Sequence, residues 1–132
     1  MSGKTDRESL VYRSGDAFLP KDVSRFLHTF VYGSYKTPVY INYWSFMHAL
    51  SGVLFAALCL RFPTIFSNPY LYGFLVHCVW ELWQIAIGMS RPFSDQGYNG
   101  ITDIVLDTAF FMAGMVAVLE GRKAWRAYAL RP

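Results

Sequence analysis

Three groups of polar residues, all but one of them ionisable, lie in stretches of sequence otherwise fit for hydrocarbon. His48 sits in SFMHALSG, His77, Glu81 and Gln84 in HCVWELWQ, and Asp103 and Asp107 in ITDIVLDT. The steps of four and three from His77 to Gln84, and of four along Asn99, Asp103 and Asp107, place each group on one face of a helix. Small residues share those faces: Ser45 and Gly52 with His48, Gly73 and Gly88 with His77, and Gly114 with Asp107. Such side chains can hold a proton, a cation or a polar headgroup. They can equally bind helices to one another by hydrogen bonds, with burial keeping a carboxyl neutral. Three carboxylates exceed what joining three helices requires, and ionisable groups inside membrane helices are functional candidates by default. No nucleophile–base pair is recognisable, so no catalytic residue is assigned and a non-enzymatic role is expected. Metal-ligand spacing is absent, and no metal is expected.

These residues need helices to carry them, and three apolar segments supply the length. The spans are predicted at about 43–62, 70–90 and 101–119, each about 20 residues, or roughly 30 Å as a helix, the thickness of a hydrocarbon core. Pro63, Asn68 and Pro69 break the chain between the first two, and RPFSDQGYNG, 91–100, is a polar loop between the others. Charged residues in such spans face the bundle interior and pair there, while small residues let backbones approach. Glu81 is therefore expected to point at neighbouring helices, away from lipid.

Composition agrees. Hydrophobic residues make up 54% of the 132 and charged residues 16%, against about 25% charged in soluble domains. The net charge of +3 is not a nucleic-acid signal. Six of the twelve basic residues precede residue 37, interleaved with Asp6, Glu8, Asp16 and Asp22, and Arg122, Lys123, Arg126 and Arg131 follow the last apolar segment. Basic residues that flank apolar spans meet headgroups or aqueous partner surfaces. The near-even split leaves orientation undecided. Cys59 and Cys78 lie in apolar runs without paired spacing and read as buried inert thiols. MSGKTDRESL has no apolar core, so no signal peptide is expected.

Ahead of the spans, residues 1–41 read as a polar arm. Within it Val23, Phe26, Leu27, Phe30 and Val31 recur at helical spacing and predict a short interfacial amphipathic helix over about 22–33. YINYW, 40–44, marks entry at headgroup depth. Residues 42–121 form the transmembrane domain and 122–132 a basic C-terminal tail. His28 is read as interfacial, without a ligand role.

Counting about 1.5 Å per residue from span ends taken as flush puts His48 roughly 8 Å in, Gln84 roughly 9 Å in and Asp107 at a similar level. Glu81 falls about 4 Å deeper than Gln84. The expected cluster is thus His48, Glu81, Gln84, Asp103 and Asp107, with Ser45, His77, Arg91 and Asn99 as supporting residues and Arg91 at the mouth. The same count sets His48 and His77 about 12 Å apart along the membrane normal.

At these residues the chain resembles the VanZ-like family of small polytopic membrane proteins. The resemblance rests on His48, Glu81-Leu82-Trp83-Gln84, Arg91, and Asp103-Ile104-Val105-Leu106-Asp107 with Gly114, in the family's order over residues 43–119. Phe110 stands where that family has a close-following glycine, and three spans are fewer than it commonly has. The resemblance implies an architecture and a self-standing protein that binds a lipid-related or polar ligand. Ser45 to Gly52, S-x-x-H-x-x-S-G, is similar to the quinone-site motif of the succinate dehydrogenase membrane anchor, which would imply quinone or haem. Ala49 replaces its functional arginine, and the 12 Å count opposes a shared haem, so no cofactor is expected.

The expected fold is thus all-α, a three-transmembrane-helix bundle in the lipid bilayer of an organellar inner membrane or a bacterial-type plasma membrane. The expected role is a non-enzymatic accessory or anchor subunit of a larger membrane assembly, energy-transducing assemblies among the candidates, whose arm and tail grip other membrane-protein subunits.

Overall fold

The computed structural model describes residues 19–34, 37–86 and 100–130. These are 76% helical. In chain order they form α1 (Lys21–Leu27), β1 (Phe30–Tyr32), β2 (Ile41–Asn42), α2 (Tyr43–Arg61), α3 (Pro69–Ala86) and α4 (Gly100–Ala129). By contacts the chain divides into two compact units, one of residues 1–44 and 81–104, the other of 45–80 and 105–132.

In the first unit the helix expected over 22–33 is shorter, and a hairpin follows it. Pro20 stands at the N-cap of α1, just ahead of Lys21. The helix stops where side chains take its last carbonyls: His28 Nδ1 lies 2.8 Å from the Ser24 oxygen and Thr29 Oγ1 donates to Arg25 at 3.2 Å. β1 then pairs antiparallel with β2, Phe30 opposite Asn42 and Tyr32 opposite Ile41. Gly33, at φ 72°, makes the turn possible. The all-α expectation is corrected to this extent. Phe30 and Val31 match helical spacing, but aromatic and β-branched residues beside a glycine favour a strand once a partner is at hand. Aromatic contacts hold the piece together: Phe26 stacks on Tyr43 at 4.6 Å, His28 on Trp44 at 5.9 Å, and Phe30 meets the edge of Tyr40 at 5.6 Å.

The second unit contains most of α2, the first two-thirds of α3 and α4 from Val105 onward. Contacts pair His48 with Asp107 and Gly52 with Phe111 and Met115, so α2 and α4 run the same way. Tyr70 meets Glu120, Gly73 meets Met115 and His77 meets Thr108, so α3 runs against α4. An apolar centre of Ala56, Phe111, Met115 and Leu119 begins at Phe111, beside the His77 ring, and runs away from the histidines along the helices. α2 and α4 touch backbone to backbone. A Cβ at Gly52 would lie 1.9 Å from the Phe111 carbonyl oxygen, and one at Gly114 would lie 2.0 Å from that of Ala49. Asn68 caps α3 by accepting the Leu71 N–H at 3.2 Å, with Pro69 in the first helical position.

α2 and α4 are each long and apolar enough to cross a membrane. α3, 18 described residues with His77, Glu81 and Gln84 among them, does not reach that apolarity. The final helix does not end at Leu119 with the apolar run. It continues to Ala129 through residues expected as a tail, because Arg, Lys and Ala propagate a helix regardless of what surrounds it. Tyr70 donates to Glu120, and Lys123 lies 2.7 Å from the same carboxylate.

Candidate functional site

The second unit buries a chain of polar side chains drawn from three helices. On α2 the inward positions are Ser45, His48, Gly52, Ala56 and Cys59, steps of three and four that follow the helical period. On α4 Asp107 begins the inward stripe that Phe111, Met115 and Leu119 continue. On α3 Gly73 and His77 face inward.

Where these stripes meet, His48 Nε2 lies 3.1 Å from Asp107 Oδ2. His48 Nδ1 lies 3.1 Å from His77 Nε2. His77 Nδ1 lies 3.3 Å from Thr108 Oγ1. The imidazole planes meet at 62°, and the His77 ring packs against Phe111 at 4.8 Å between centroids. His48, His77 and Asp107 are 6%, 2% and 3% exposed.

The proton arrangement follows from the partners. The Asp107 carboxylate, 3.1 Å from Nε2 but outside hydrogen-bond angle to it, favours the proton on that nitrogen through its charge, so His48, if neutral, accepts at Nδ1. His77 then donates through Nε2–H and accepts at Nδ1 from the Thr108 hydroxyl. Adding one proton to His48 reverses the chain: His48 Nδ1–H donates to His77, whose Nδ1–H donates to Thr108, since a hydroxyl can donate or accept. The array can thus store a proton or, with both lone pairs turned toward each other, present two nitrogens to a cation.

The expected contact of His48 with Asp107 is present. His77, expected only as a supporting residue, stands at the centre of the array. The 12 Å separation is corrected, because span ends are not flush. His48 stands 13 residues before Arg61, about 20 Å of helix, and His77 only eight after Pro69, about 12 Å. α2 therefore overshoots the start of α3, and the 62–68 connection doubles back so that Phe66 meets Phe55 at 5.6 Å. A shared haem is opposed on other grounds: nitrogens in hydrogen-bond contact leave no room between them for a porphyrin.

Ser45 is buried one turn before His48. Glu81 and Gln84, 4% and 7% exposed, continue the His77 face of α3, so Glu81 is shielded as expected. Asp103 belongs to the first unit, where it accepts the hydroxyl of buried Tyr40. Arg91 and Asn99, with the loop they were assigned to, and Gly88 lie outside the described residues. Thr108 was missed. Its signal was a hydroxyl adjacent to Asp107 on an otherwise apolar segment.

No family model, curated protein or solved structure matches this chain.

Proposed function

We propose that the chain is a multi-pass membrane protein with three spans, α2, α3 and the first two-thirds of α4. Its buried His48–His77–Asp107 array is a non-catalytic binding site for a small polar or cationic species. The observation that carries this reading is an inverted distribution of polarity. Buried positions hold Ser45, His48, His77, Glu81, Gln84 and Asp107, while Leu54, Val79, Leu82 and Val105 are 63%, 65%, 64% and 59% exposed. Water would penalise that arrangement at about 25 cal/mol per Å² of apolar surface left outside, and lipid does not. α3 fits as the third span because its polar residues face inward, where such groups belong in a membrane bundle.

The protein acts as an accessory subunit of a larger assembly in an organellar inner membrane or a bacterial-type plasma membrane. α4 supports this: beyond Leu119 it carries Arg122, Lys123 and Arg126 with exposed Trp125 and Tyr128, a headgroup-level surface for lipid or neighbouring subunits. The VanZ-like reading of a self-standing protein rests on motif order alone.

One fractionation tests both parts. After alkaline washing the chain should remain with the membranes, and in mild detergent it should elute with companions. Release into the wash would sink the membrane reading. A monodisperse species of 15.1 kDa plus detergent would sink the subunit reading and leave the other standing.

A further inference from the structure

We infer that His48 and His77 form the primary ligands of a site for a divalent first-row transition ion of the zinc and copper class. The inference rests on the binding-site reading above and specifies its occupant.

The spacing of the two nitrogens and the oxygens behind them both suit such an ion. Imidazole nitrogens bind zinc at about 2.0–2.1 Å, so two of them on a tetrahedral ion stand about 3.3 Å apart. Here His48 Nδ1 and His77 Nε2 face each other at 3.1 Å, within a few tenths of an ångström of that bite. Imidazole is a ligand suited to zinc, copper, iron and nickel and ill suited to magnesium or calcium. Behind each ligand stands the oxygen that a metal-bound histidine needs on its other nitrogen. Asp107 Oδ2 lies 3.1 Å from His48 Nε2 as an ion-pair contact, and Thr108 Oγ1 is hydrogen-bonded to His77 Nδ1 at 3.3 Å.

Loading needs no net loss of a proton. In the metal-free array His77 donates through Nε2–H to His48. On binding, that proton moves to Nδ1, both inward lone pairs become available, and the Thr108 hydroxyl turns from donor to acceptor. A valine at 108 could serve neither state. Asp107 keeps His48 in the tautomer whose Nδ1 is a ligand in both. The Phe111 ring, 4.8 Å from that of His77, limits rotation of the imidazole away from its partner. Local sequence spacing could not show this pair, since its members lie on different helices 29 positions apart.

The test uses the full chain, without a polyhistidine tag, in detergent or nanodiscs. Zinc content is measured after gel filtration, and copper is then substituted for electron paramagnetic resonance. One zinc per chain and a copper spectrum coupled to two imidazole nitrogens are expected. His48→Ala and His77→Ala should each lower affinity at least a hundredfold, Asp107→Asn and Thr108→Val about tenfold to a hundredfold, and His28→Ala not at all. The copper spectrum is read on the unaltered protein, so the inference stays open to refutation if a variant fails to fold. Absence of stoichiometric metal, a spectrum without two nitrogens, or binding that depends on His28 would overturn it. If the same preparation resists alkaline washing, that negative result falls on the metal site alone and leaves the membrane reading in place.

Discussion

Asp107 and Thr108 show how differently two adjacent residues on one helix can serve the same pair of rings. Asp107 fixes which nitrogen of His48 carries a proton, while Thr108 tolerates either form of His77. Removing the carboxylate strips a buried imidazole of its partner, and breaking a buried pair costs about 3 kcal/mol or more. Replacing it with an amide keeps an accepting oxygen in place, at a cost near that of one hydrogen bond, about 1 kcal/mol. Asp107→Ala should therefore lower stability by about 3 kcal/mol and Asp107→Asn by about 1 kcal/mol, as read from unfolding in mixed detergent micelles. Equal losses would show that the contact matters only as space filled. At this scale the sequence was informative about faces and silent about level. Periodicity placed His48, His77 and Asp107 inward, because a helix repeats every 3.6 residues whatever surrounds it. Their meeting depended on where α2 ends and α3 begins relative to one another, which the His48–His77 contact and the Phe66–Phe55 contact of the connection disclose.

Among the elements, the crossing of α2 and α4 has the least room. Gly52 and Gly114 each face the other helix's backbone, whereas Gly73 faces the thioether end of Met115. A methyl group at either of the first two positions must push helices apart, and overpacking of this kind costs about 1–3 kcal/mol. A methyl at Gly73 meets a side chain with three rotatable bonds that can yield. Thermal unfolding in detergent should place Gly52→Ala and Gly114→Ala well below the parent protein and Gly73→Ala close to it. A comparable drop for all three would mean that Met115 is as immobile as the backbone. The small-residue faces were legible for the same reason as the polar ones. The hairpin was not, since Phe30 and Val31 satisfy both helical and strand patterns and Tyr40–Asn42 had to supply the partner. The extension of α4 was hidden for a different reason: hydropathy reports where lipid stops, and helix propensity does not stop there.

For the whole molecule, the number of crossings has a topological consequence. Three spans place the two ends of the chain on opposite faces of the membrane, while two would return them to the same face. Since α3 is the segment whose composition is least committed to lipid, this is where the count is decided. Epitopes fused to the first and last residues should differ in protease accessibility in sealed vesicles, one digested and the other protected. Matching accessibility would remove α3 from the bilayer and sink the three-span reading.

Because α2 and α4 meet main chain against main chain at Gly52 and Gly114, neither can slide or roll past the other without collision. That contact lies one turn from His48 and two turns from Asp107, so these two residues behave as parts of a single stiff girder. Any adjustment of the interior on loading or emptying must then be borne by the strut that carries His77, held by Asn68 at one end and leaning on the pliable Met115.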